Sequence, residues 1–346
     1  MVRIDTVSTK PCAPLVRRIL DELEPLNADV RLVTKPGDEG QVNLLARIGP
    51  DVPGGLAFAG HMDTVPWDKA MRATTAPERD GRRLYGRGTC DMKGAIAAML
   101  HAARASAGAP LLKPLWLAFT FQEEIGCHGA KLLEDVVQLP AEHCIVGEPT
   151  GLRPVIAHKG YVIADLTFSG TPCHSSDPSS GASALHAAAR SLDRLLAMGS
   201  RWAESPDPCT ALRPPYTTVN VGLLSGGTAR NVVPESAKLT LEMRPLPGTS
   251  PESLFAAARA EVNAALATVP GVHVDFVETE ADEPFSNSAS AKLVTWLQER
   301  AGKEPPPRAV HEEDSDLDAD DGVPFAAALA AASSRSALRA VTATSL

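Results

Sequence analysis

The 346-residue chain has few aromatic residues, an excess of acidic over basic side chains and no long apolar run. Aromatic residues make up only 4% of the sequence, and the formal net charge is −9. Nucleic acids and anionic membranes bind basic surfaces, so this charge argues against both as partners. No run approaches the roughly 20 apolar residues that cross a bilayer, and residues 1–20 lack the apolar stretch of a secretory signal. The sequence therefore predicts a cytoplasmic protein.

The cysteines also show no pattern that would indicate a disulfide framework. The chain contains 6 of them, and they are scattered without paired spacing. Such usage is typical of reduced thiols in a cytosolic protein. A hydrophobic content of 44% is ordinary for a globular protein, and 346 residues are enough for two domains.

Four short segments each place an imidazole or a carboxylate in a loop marked by Gly or Pro. They are residues 60–66 (GHMDTVP), 88–94 (GTCDMKG), 121–126 (FQEEIG) and 147–150 (GEPT). Together they offer oxygen and imidazole nitrogen ligands without a thiolate, a mixture that suits zinc, cobalt or manganese. The segments follow predicted strands or precede a predicted helix, and ligands of parallel α/β sheets gather beyond the carboxyl ends of the strands. The pattern therefore predicts one metal-dependent hydrolytic site.

The hydrophobic periodicity predicts two domains that differ in their order of helices and strands. Strands alternate with helices before residue 160, which indicates an α/β domain with a mostly parallel sheet. The predicted elements there are a helix at 16–26, strands at 30–33, 43–48, 56–60, 115–121 and 143–146, and a helix at 94–105. Beyond it the order is β-α-β-β-α-β, with elements at 161–168, 182–198, 217–224, 237–244, 251–266 and 272–277. This order is typical of a small ferredoxin-like α+β domain. We expect it to be an insertion, residues 160–279, in a larger domain built from 1–159 and 280–346, with a returning helix at 288–301.

His61, Asp63 and Asp91 are the first candidate site residues. His61 and Asp63 lie two positions apart at a predicted strand end, so their side chains project from the same face. One can bind metal while the other orients the imidazole, and the alternative is a chance His-x-Asp in a surface turn. Asp91 can bridge two metal ions through its two oxygens, or it can cap the helix that follows.

Glu123, Glu124 and Glu148 supply the remaining carboxylates. Two adjacent acids at the end of an apolar strand repel each other unless a cation or a proton intervenes. One of the pair can bind metal while the other acts as the general base for water, and the alternative is a solvated acidic turn. Glu148, which precedes a proline, is ambiguous when considered alone.

These motifs, in this order, resemble the M20 family of metallo-aminoacylases and peptidases. The resemblance covers about residues 1–303 and extends the last motif to 147–160 (GEPTGLRPVIAHKG). It implies two metal ions, with zinc expected and cobalt possible. The implied roles are one metal held by His61, Asp91 and Glu148, a second held by Asp91 and Glu124, Asp63 as the residue that orients His61, and Glu123 as general base. By resemblance, the extended motif favours hydrolysis of N-acetyl-L-ornithine to ornithine and acetate, a step of arginine synthesis.

The same resemblance implies that the inserted domain acts in dimerisation and as a lid, so we expect a homodimer. His174, in 170–176 (GTPCHSS), would stabilise the oxyanion in its own site or in that of the partner subunit. Asn231, in 226–234, would hydrogen-bond the substrate, and Arg244 would bind a carboxylate in bidentate fashion. Without the resemblance, a lone histidine such as His174 is more often structural.

The C-terminal part departs from the family pattern, which normally ends with an Ala-His pair that supplies a ligand to the second metal. Instead the chain has an acidic run at 311–321 and then an Ala- and Ser-rich tail. A calcium loop starting at Asp314 is excluded, because its sixth position is Ala319 and its twelfth is Phe325. A solvated charged loop, a substitute ligand at His311 and out-of-frame translation remain as interpretations. We expect a weakly bound second metal, reduced turnover and the loss of the last sheet strand and helix.

Several functions therefore stay open. Within the family, the alternatives are desuccinylation of succinyl-diaminopimelate, hydrolysis of another N-acyl amino acid, and cleavage of dipeptides. A different class is a catalytically impaired dimeric metal-binding protein, which the atypical C-terminal sequence would favour.

Overall fold

The protein consists of two compact units. The computed structural model describes residues 1–67, 75–137, 139–287, 292–301 and 339–342. The first unit comprises Met1–Ile156 and Asn287–Leu346, and the second comprises Ala157–Ser286. Within these described ranges, no helix has the length and apolar character needed to cross a membrane.

Helices and strands alternate along both units. The α-helices of the described residues are α1 (Ala13–Leu23), α2 (Lys93–Ser106), α3 (His128–Val136), α4 (Ala184–Ala203), α5 (Pro251–Leu266) and α6 (Lys292–Ala301). Short 3-10 helices lie at Glu24–Leu26 and Pro178–Ser180. The strands are β1 (Asp29–Lys35), β2 (Asp38–Ile48), β3 (Leu56–His61), β4 (Glu78–Asp80), β5 (Arg83–Tyr85), β6 (Leu115–Thr120), β7 (His143–Val146), β8 (Ala157–His158), β9 (Tyr161–Ser169), β10 (Thr218–Gly226), β11 (Ser236–Arg244), β12 (His273–Asp282), β13 (Phe285–Ser286) and β14 (Arg339–Thr342).

The first unit is built on a mixed sheet with the strand order β1-β2-β6-β3-β7-β14. Strand β3 runs parallel to both β6 and β7, and β14 runs parallel to β7. Strands β1 and β2 form an antiparallel hairpin, and β2 also pairs antiparallel with β6. Because β3, β6 and β7 are parallel neighbours, their carboxyl ends lie at one edge of the sheet.

Helix α2 lies very close to the strands that lead to this edge. A Cβ atom at Gly60 would lie 2.7 Å from Met92 Cε, and one at Gly147 would lie 2.3 Å from Met99 Cε. At both positions a side chain would meet the terminal methyl of a methionine, and at Gly147 it would also lie 2.9 Å from Ala95 Cβ of α2, so little space remains there. In the same hydrophobic cluster as Met92 and Met99, α1 buries one face of apolar side chains at helical spacing: Leu15, Val16, Ile19 and Leu23.

The second unit is a four-stranded antiparallel sheet with the order β10-β11-β9-β12. Residues of β9 and β11 alternate between buried and more exposed positions, as expected for a sheet with one face covered. The buried faces of α4 and α5 pack with these strands in one hydrophobic cluster. Both helices begin at a serine N-cap, since the Ser183 and Ser250 hydroxyls accept main-chain N–H groups three residues later.

The predicted fold class is confirmed: a mostly parallel sheet carries an inserted β-α-β-β-α-β unit. Helix α5 and strand β7 have the predicted bounds, and most other elements differ from the prediction by a few residues at their ends. Helix α3 and two short ribbons, β4 with β5 and β8 with β13, were not predicted.

The end of the chain differs from our expectation that the last sheet strand is lost. Residues of β14 pair with β7 in parallel, from Arg339 opposite His143 to Thr342 opposite Val146. The expectation was wrong because the segment does not need the family's sequence pattern to form main-chain hydrogen bonds with an open sheet edge. The acidic run, including His311, and residues 288–291 of the predicted returning helix lie outside the described residues.

Candidate metal centre

Three strand ends bring the candidate ligands of the first unit together. His61 is the last residue of β3 and lies opposite Thr120 of β6, and Ala59 lies opposite Val146 of β7. Glu148 therefore follows the end of β7 beside His61. Asp91 comes from the loop that precedes α2.

His61, Asp91 and Glu148 form a cluster in which one ligand atom of each lies within 4.8 Å of the other two. His61 Nε2 lies 2.9 Å from Asp91 Oδ1 and 3.8 Å from Glu148 Oε1. Glu123 adds a third carboxylate, with its Oε2 at 4.0 Å from the same nitrogen. Three acidic side chains thus surround one imidazole nitrogen in the interior of the protein.

This arrangement fits a bound cation. Among the described residues, neither Glu148 Oε1 nor Glu123 Oε2 has a hydrogen-bond partner, although both atoms are buried. Burying unpaired carboxylate oxygens is costly unless a positive charge compensates them. One imidazole and several carboxylates are the donor set that zinc and similar divalent ions bind. The residues that are present therefore suit a metal ion at this position.

The main chain fixes the tautomer of His61. Its Nδ1 lies 3.0 Å from the main-chain carbonyl oxygen of Asp63, and a carbonyl can only accept, so Nδ1 is the donor. In the neutral ring, Nε2 then carries the lone pair that faces Asp91 and Glu148. The Asp63 side chain is farther away, with Oδ1 at 3.6 Å from Nδ1. The Asp63 side chain was predicted to orient His61. The acceptor nearer to His61 Nδ1 is the main-chain carbonyl oxygen of Asp63.

Without a metal ion, the surroundings of Glu148 and Glu123 favour the protonated forms of both side chains. Burial raises the pKa of Glu148 from 4.5 to about 8, and the nearby charges of Asp91 and Asp63 act in the same direction. Burial, with repulsion from Glu148, likewise raises the pKa of Glu123 well above its usual range. For His61, burial alone would lower the pKa, but the charges of Asp91 and Glu148 outweigh it and raise the pKa well above 6.5.

Asp63 holds the loop of the two glutamates rather than joining the cluster. Its Oδ1 accepts the Glu123 N–H at 3.0 Å, and its Oδ2 accepts the Glu124 N–H at 3.3 Å. Burial opposes ionisation of Asp63, but its contacts with His61 and the Glu123 N–H lower its pKa below the usual value. Asp63 is therefore an ionised anchor for the loop.

The two adjacent glutamates have different surroundings. The Glu123 side chain is completely buried, and the Cys127 thiol donates to its Oε1 at 3.7 Å. Glu124 is only partly buried, and its Oε1 accepts the Val65 N–H at 3.2 Å. Glu124 is therefore not part of the three-residue cluster, although it lies on the same loop as Glu123.

His174 and Asn231 lie together in the second unit. Residue 174 forms an antiparallel bridge with Val232, and the Ser175 N–H donates to the Asn231 carbonyl at 3.0 Å. The exposed His174 ring accepts the Ser176 N–H at Nδ1, at 3.2 Å. The neutral ring therefore carries its proton on Nε2, which is the tautomer that can donate a hydrogen bond to an anion.

Arg244 lies at the opposite end of the same sheet. It ends β11, whereas Asn231 precedes the start of that strand, and nine extended residues separate the two ends by about 26 Å. Arg244 Nε donates to Glu242 Oε1 at 2.8 Å, which holds the guanidinium plane. Lys159 is a second cation at this end: burial and the charge of Arg244 lower its pKa to about 8.

Sequence reasoning missed Lys159, Cys127 and Met92 as parts of these sites. Met92 Sδ accepts the His61 N–H at 3.1 Å, a contact between residues 31 positions apart. Of the three, Lys159 had a usable signal, because it lies within the 147–160 motif; the structure leaves it partly buried.

The buried cluster suits a metal ion, and comparisons with known proteins identify the class of protein, the M20 hydrolases of amide bonds. A family model described as a peptidase dimerisation domain matches residues 156–270. Acetylornithine deacetylase of Myxococcus xanthus is 38% identical over 311 residues, covering 88% of this chain and 80% of that protein. The chain belongs to the M20 family of metallohydrolases.

Solved structures show the same fold at low identity. An M20 family metallo-carboxypeptidase of Sulfolobus solfataricus superimposes with a TM-score of 0.74 at 18% identity, covering 99% of this chain and 89% of that one. A dinuclear metal-binding M20 peptidase of Bacillus subtilis gives a TM-score of 0.66 at 17% identity, with 99% and 87% covered. These two similarities show that the chain shares the fold of both structures.

Proposed function

We propose that this protein hydrolyses N-acetyl-L-ornithine to ornithine and acetate, as a step of arginine synthesis. The similarity to an acetylornithine deacetylase supports the substrate. The observation that carries the chemistry is the buried cluster of His61, Asp91 and Glu148 with the unpartnered Glu123 Oε2 beside it among the described residues.

His61, Asp91 and Glu148 would hold the first metal ion, and zinc or cobalt suits their donor atoms. A divalent ion supplies Lewis-acid chemistry, because it polarises an amide carbonyl and lowers the pKa of water. Asp91 could also serve a second ion with Glu124, whose carboxylate is bound to the Val65 N–H. The described residues cluster no second imidazole there, so we infer that the second ion is held more weakly.

Metal analysis tests this inference. Protein purified by gel filtration in metal-free buffer should retain close to one zinc or cobalt ion per chain, and added metal should supply the second at higher concentration. Two ions per chain that both survive gel filtration would contradict it. Glu124→Gln should lower occupancy of the weaker position only.

Glu123 would act as the proton carrier of the reaction. Its carboxylate accepts a proton from the attacking water and then gives that proton to the leaving amine. Without metal, burial and repulsion from Glu148 raise the pKa of Glu123 and favour its protonated form. A bound cation would lower this pKa and leave the carboxylate able to accept the proton. We expect Glu123→Gln to lower kcat by about 10²–10⁴-fold while metal binding is retained. Unchanged activity would remove the assignment.

His174 and Asn231 would stabilise the oxyanion and hold the substrate, and Arg244 with Lys159 would bind its carboxylate. The Nε2–H tautomer of His174 supports the first role, and the paired cations support the second. The two ends of β11 are about 26 Å apart, which is too far for one small amino acid to span. We therefore propose that His174 serves the site of the partner subunit in a homodimer.

The second unit offers a surface for this dimer. Strand β10 is an edge of the four-stranded sheet, and its Leu223 and Leu224 are 68% and 40% exposed. An edge strand with exposed leucines is suited to pairing with a second copy. Leu223→Asp should yield a monomer in sedimentation analysis, whereas Leu112→Asp, at a leucine of the first unit that is 90% exposed, should leave the dimer intact.

Mixed dimers test the exchange of His174 directly. Glu123→Gln and His174→Ala proteins should each be nearly inactive alone. When they are unfolded and refolded together, random pairing should restore about a quarter of wild-type activity if His174 serves the partner's site. If His174 serves its own subunit, each mixed dimer still lacks one essential group in both sites, and no activity returns.

Substrate assays decide between the deacetylase and its alternatives. The zinc- or cobalt-loaded protein should show its highest kcat/KM on N-acetyl-L-ornithine when compared with succinyl-diaminopimelate, other N-acyl amino acids and dipeptides. A higher value on any of these would replace the proposed substrate. Absence of turnover on all of them, with metal bound, would instead indicate the catalytically impaired alternative.

A further inference from the structure

The N-terminal strap, residues 4–8, lies alongside the segment that follows β3, and no role was predicted for it. Val7 forms a parallel bridge with Thr64. Around this bridge, the Thr64 N–H donates to Thr6 O at 3.1 Å, and the Ser8 N–H donates to Thr64 O at 3.1 Å. The strap is therefore fixed by main-chain hydrogen bonds directly beside Asp63.

Ser8 makes the side-chain contact of the strap with Asp63. Its hydroxyl donates to Asp63 Oδ2 at 2.7 Å, and both residues are almost completely buried. Together with the Glu123 and Glu124 N–H groups, it gives the Asp63 carboxylate three donors from two separate segments. A carboxylate can accept about four hydrogen bonds, so the Ser8 hydroxyl limits how this group can rotate.

The strap also touches the neighbouring parts of the candidate metal centre. Gln122 Nε2 donates to the Ser8 carbonyl at 3.1 Å, and Gln122 directly precedes Glu123. At the other end of the strap, Lys93 Nζ donates to the Ile4 carbonyl at 2.8 Å, two positions beyond Asp91. The strap thus connects the loops that carry Asp63, Asp91 and Glu123.

We infer that Ser8 is a positioning residue for the hydrolytic reaction. Its hydroxyl sets the orientation of the Asp63 carboxylate, which in turn holds the main chain of Glu123 and Glu124 in place. The inference rests on the proposed hydrolysis for its kinetic consequence, but its effect on metal binding does not depend on any substrate. Ser8 itself touches neither metal ligand nor substrate.

The test compares Ser8→Ala with two matched controls. Thr6→Val removes a hydroxyl of the same strap that donates to Met62 O at 2.7 Å and does not touch Asp63. Ser191→Ala removes an equally buried serine hydroxyl, which donates to Ala187 O within α4. A fourth variant, Ser8→Cys, has a side chain of similar size whose thiol is a weaker hydrogen-bond donor. It replaces Ser8→Ala in the test if Ser8→Ala does not fold.

Three quantities are measured for each variant: the melting temperature, the Kd for cobalt of the chelator-treated protein, and kcat with KM. Ser8→Ala should weaken cobalt binding and lower kcat, each by about tenfold, with KM changed much less. Ser8→Cys should show smaller changes in the same direction. The two controls should lower the melting temperature without changing cobalt affinity or kcat.

The inference is overturned if Ser8→Ala, or Ser8→Cys where only that variant folds, matches Thr6→Val in cobalt affinity and in kcat. That result would give Ser8 a role in stability alone. If the wild type turned over none of the substrates, the proposed function would fail, while the cobalt Kd values would still decide the role of Ser8.

Discussion

Replacing Glu148 by glutamine should stabilise the metal-free protein at neutral pH, although it removes a proposed ligand. Burial raises the pKa of Glu148 to about 8 in the folded protein, against 4.5 for an ordinary glutamate. Between these two pH values, the folded chain holds a proton that the unfolded chain has released. The free energy of unfolding therefore falls as pH rises, by up to about 1.4 kcal/mol per pH unit for this one group.

The neighbouring His61 changes stability with pH in the same direction. The pKa of His61 is also raised, so its contribution to stability is fully present below pH 6.5 and is lost as pH rises through its higher folded value. Glutamine keeps the shape of the side chain without a titrating proton. From pH 5.5 to 7.5, the metal-free wild type should thus lose about 2–3 kcal/mol more stability than Glu148→Gln.

Urea unfolding of chelator-treated protein, followed by tryptophan fluorescence at pH 5.5, 6.5 and 7.5, measures these slopes. Glu142→Gln is the matched control, because Glu142 lies at the opposite end of β7 with its side chain 66% exposed. It should reproduce the wild-type slope. Excess zinc should reverse the order by stabilising the wild type more than Glu148→Gln, since only a ligand that binds the folded state adds stability. Equal slopes for wild type and Glu148→Gln without metal would refute the reasoning.

Other substitutions and labels probe the packing. Gly147→Ala brings a Cβ to 2.3 Å from Met99 Cε, so urea unfolding should show a loss of about 1–3 kcal/mol, and adding Met99→Ala should recover part of it. Ser250→Ala removes the acceptor for the Ser253 N–H at the start of α5 and should cost about 1 kcal/mol, whereas Ser250→Gly should cost only a few tenths. Iodoacetamide should modify the exposed Cys209 in the native protein, but the buried Cys144, whose pKa is raised by burial, only after denaturation, as read by peptide mass spectrometry.

Periodicity predicted the long elements because each buries one face. The alternation of β9 and the apolar stripe of α4 are direct consequences of which side meets the core. Helix α3 was missed because its start carries no capping signal: it follows Cys127, whose φ of 55° is left-handed, and begins with His-Gly. The ribbon of β8 and β13 has only two residues per strand, too few for any period to be detected.

The candidate ligands could be found from sequence because parallel strands carry their terminal residues to one edge. That rule brings His61 and Glu148 together without any knowledge of distances. It could not predict that His61 donates to a carbonyl rather than to a carboxylate, since this depends on the path of the chain after β3. Nor could it find Ser8, whose contact with Asp63 spans 55 positions and leaves no local pattern.

The two units hold their candidate functional groups in different ways. Glu123 and Glu148 are buried just beyond strand ends, where burial raises the pKa of each and favours either a proton or a bound cation. His174 is exposed, and its Nδ1 contacts both the N–H and the hydroxyl group of Ser176, so the ring is held by its own loop. Because Arg244 lies at the far end of the same sheet, a single copy of the second unit cannot bring both groups to one small substrate. Dimerisation would then be a condition for completing the site, and loss of the dimer should lower kcat without loosening the metal held by the first unit.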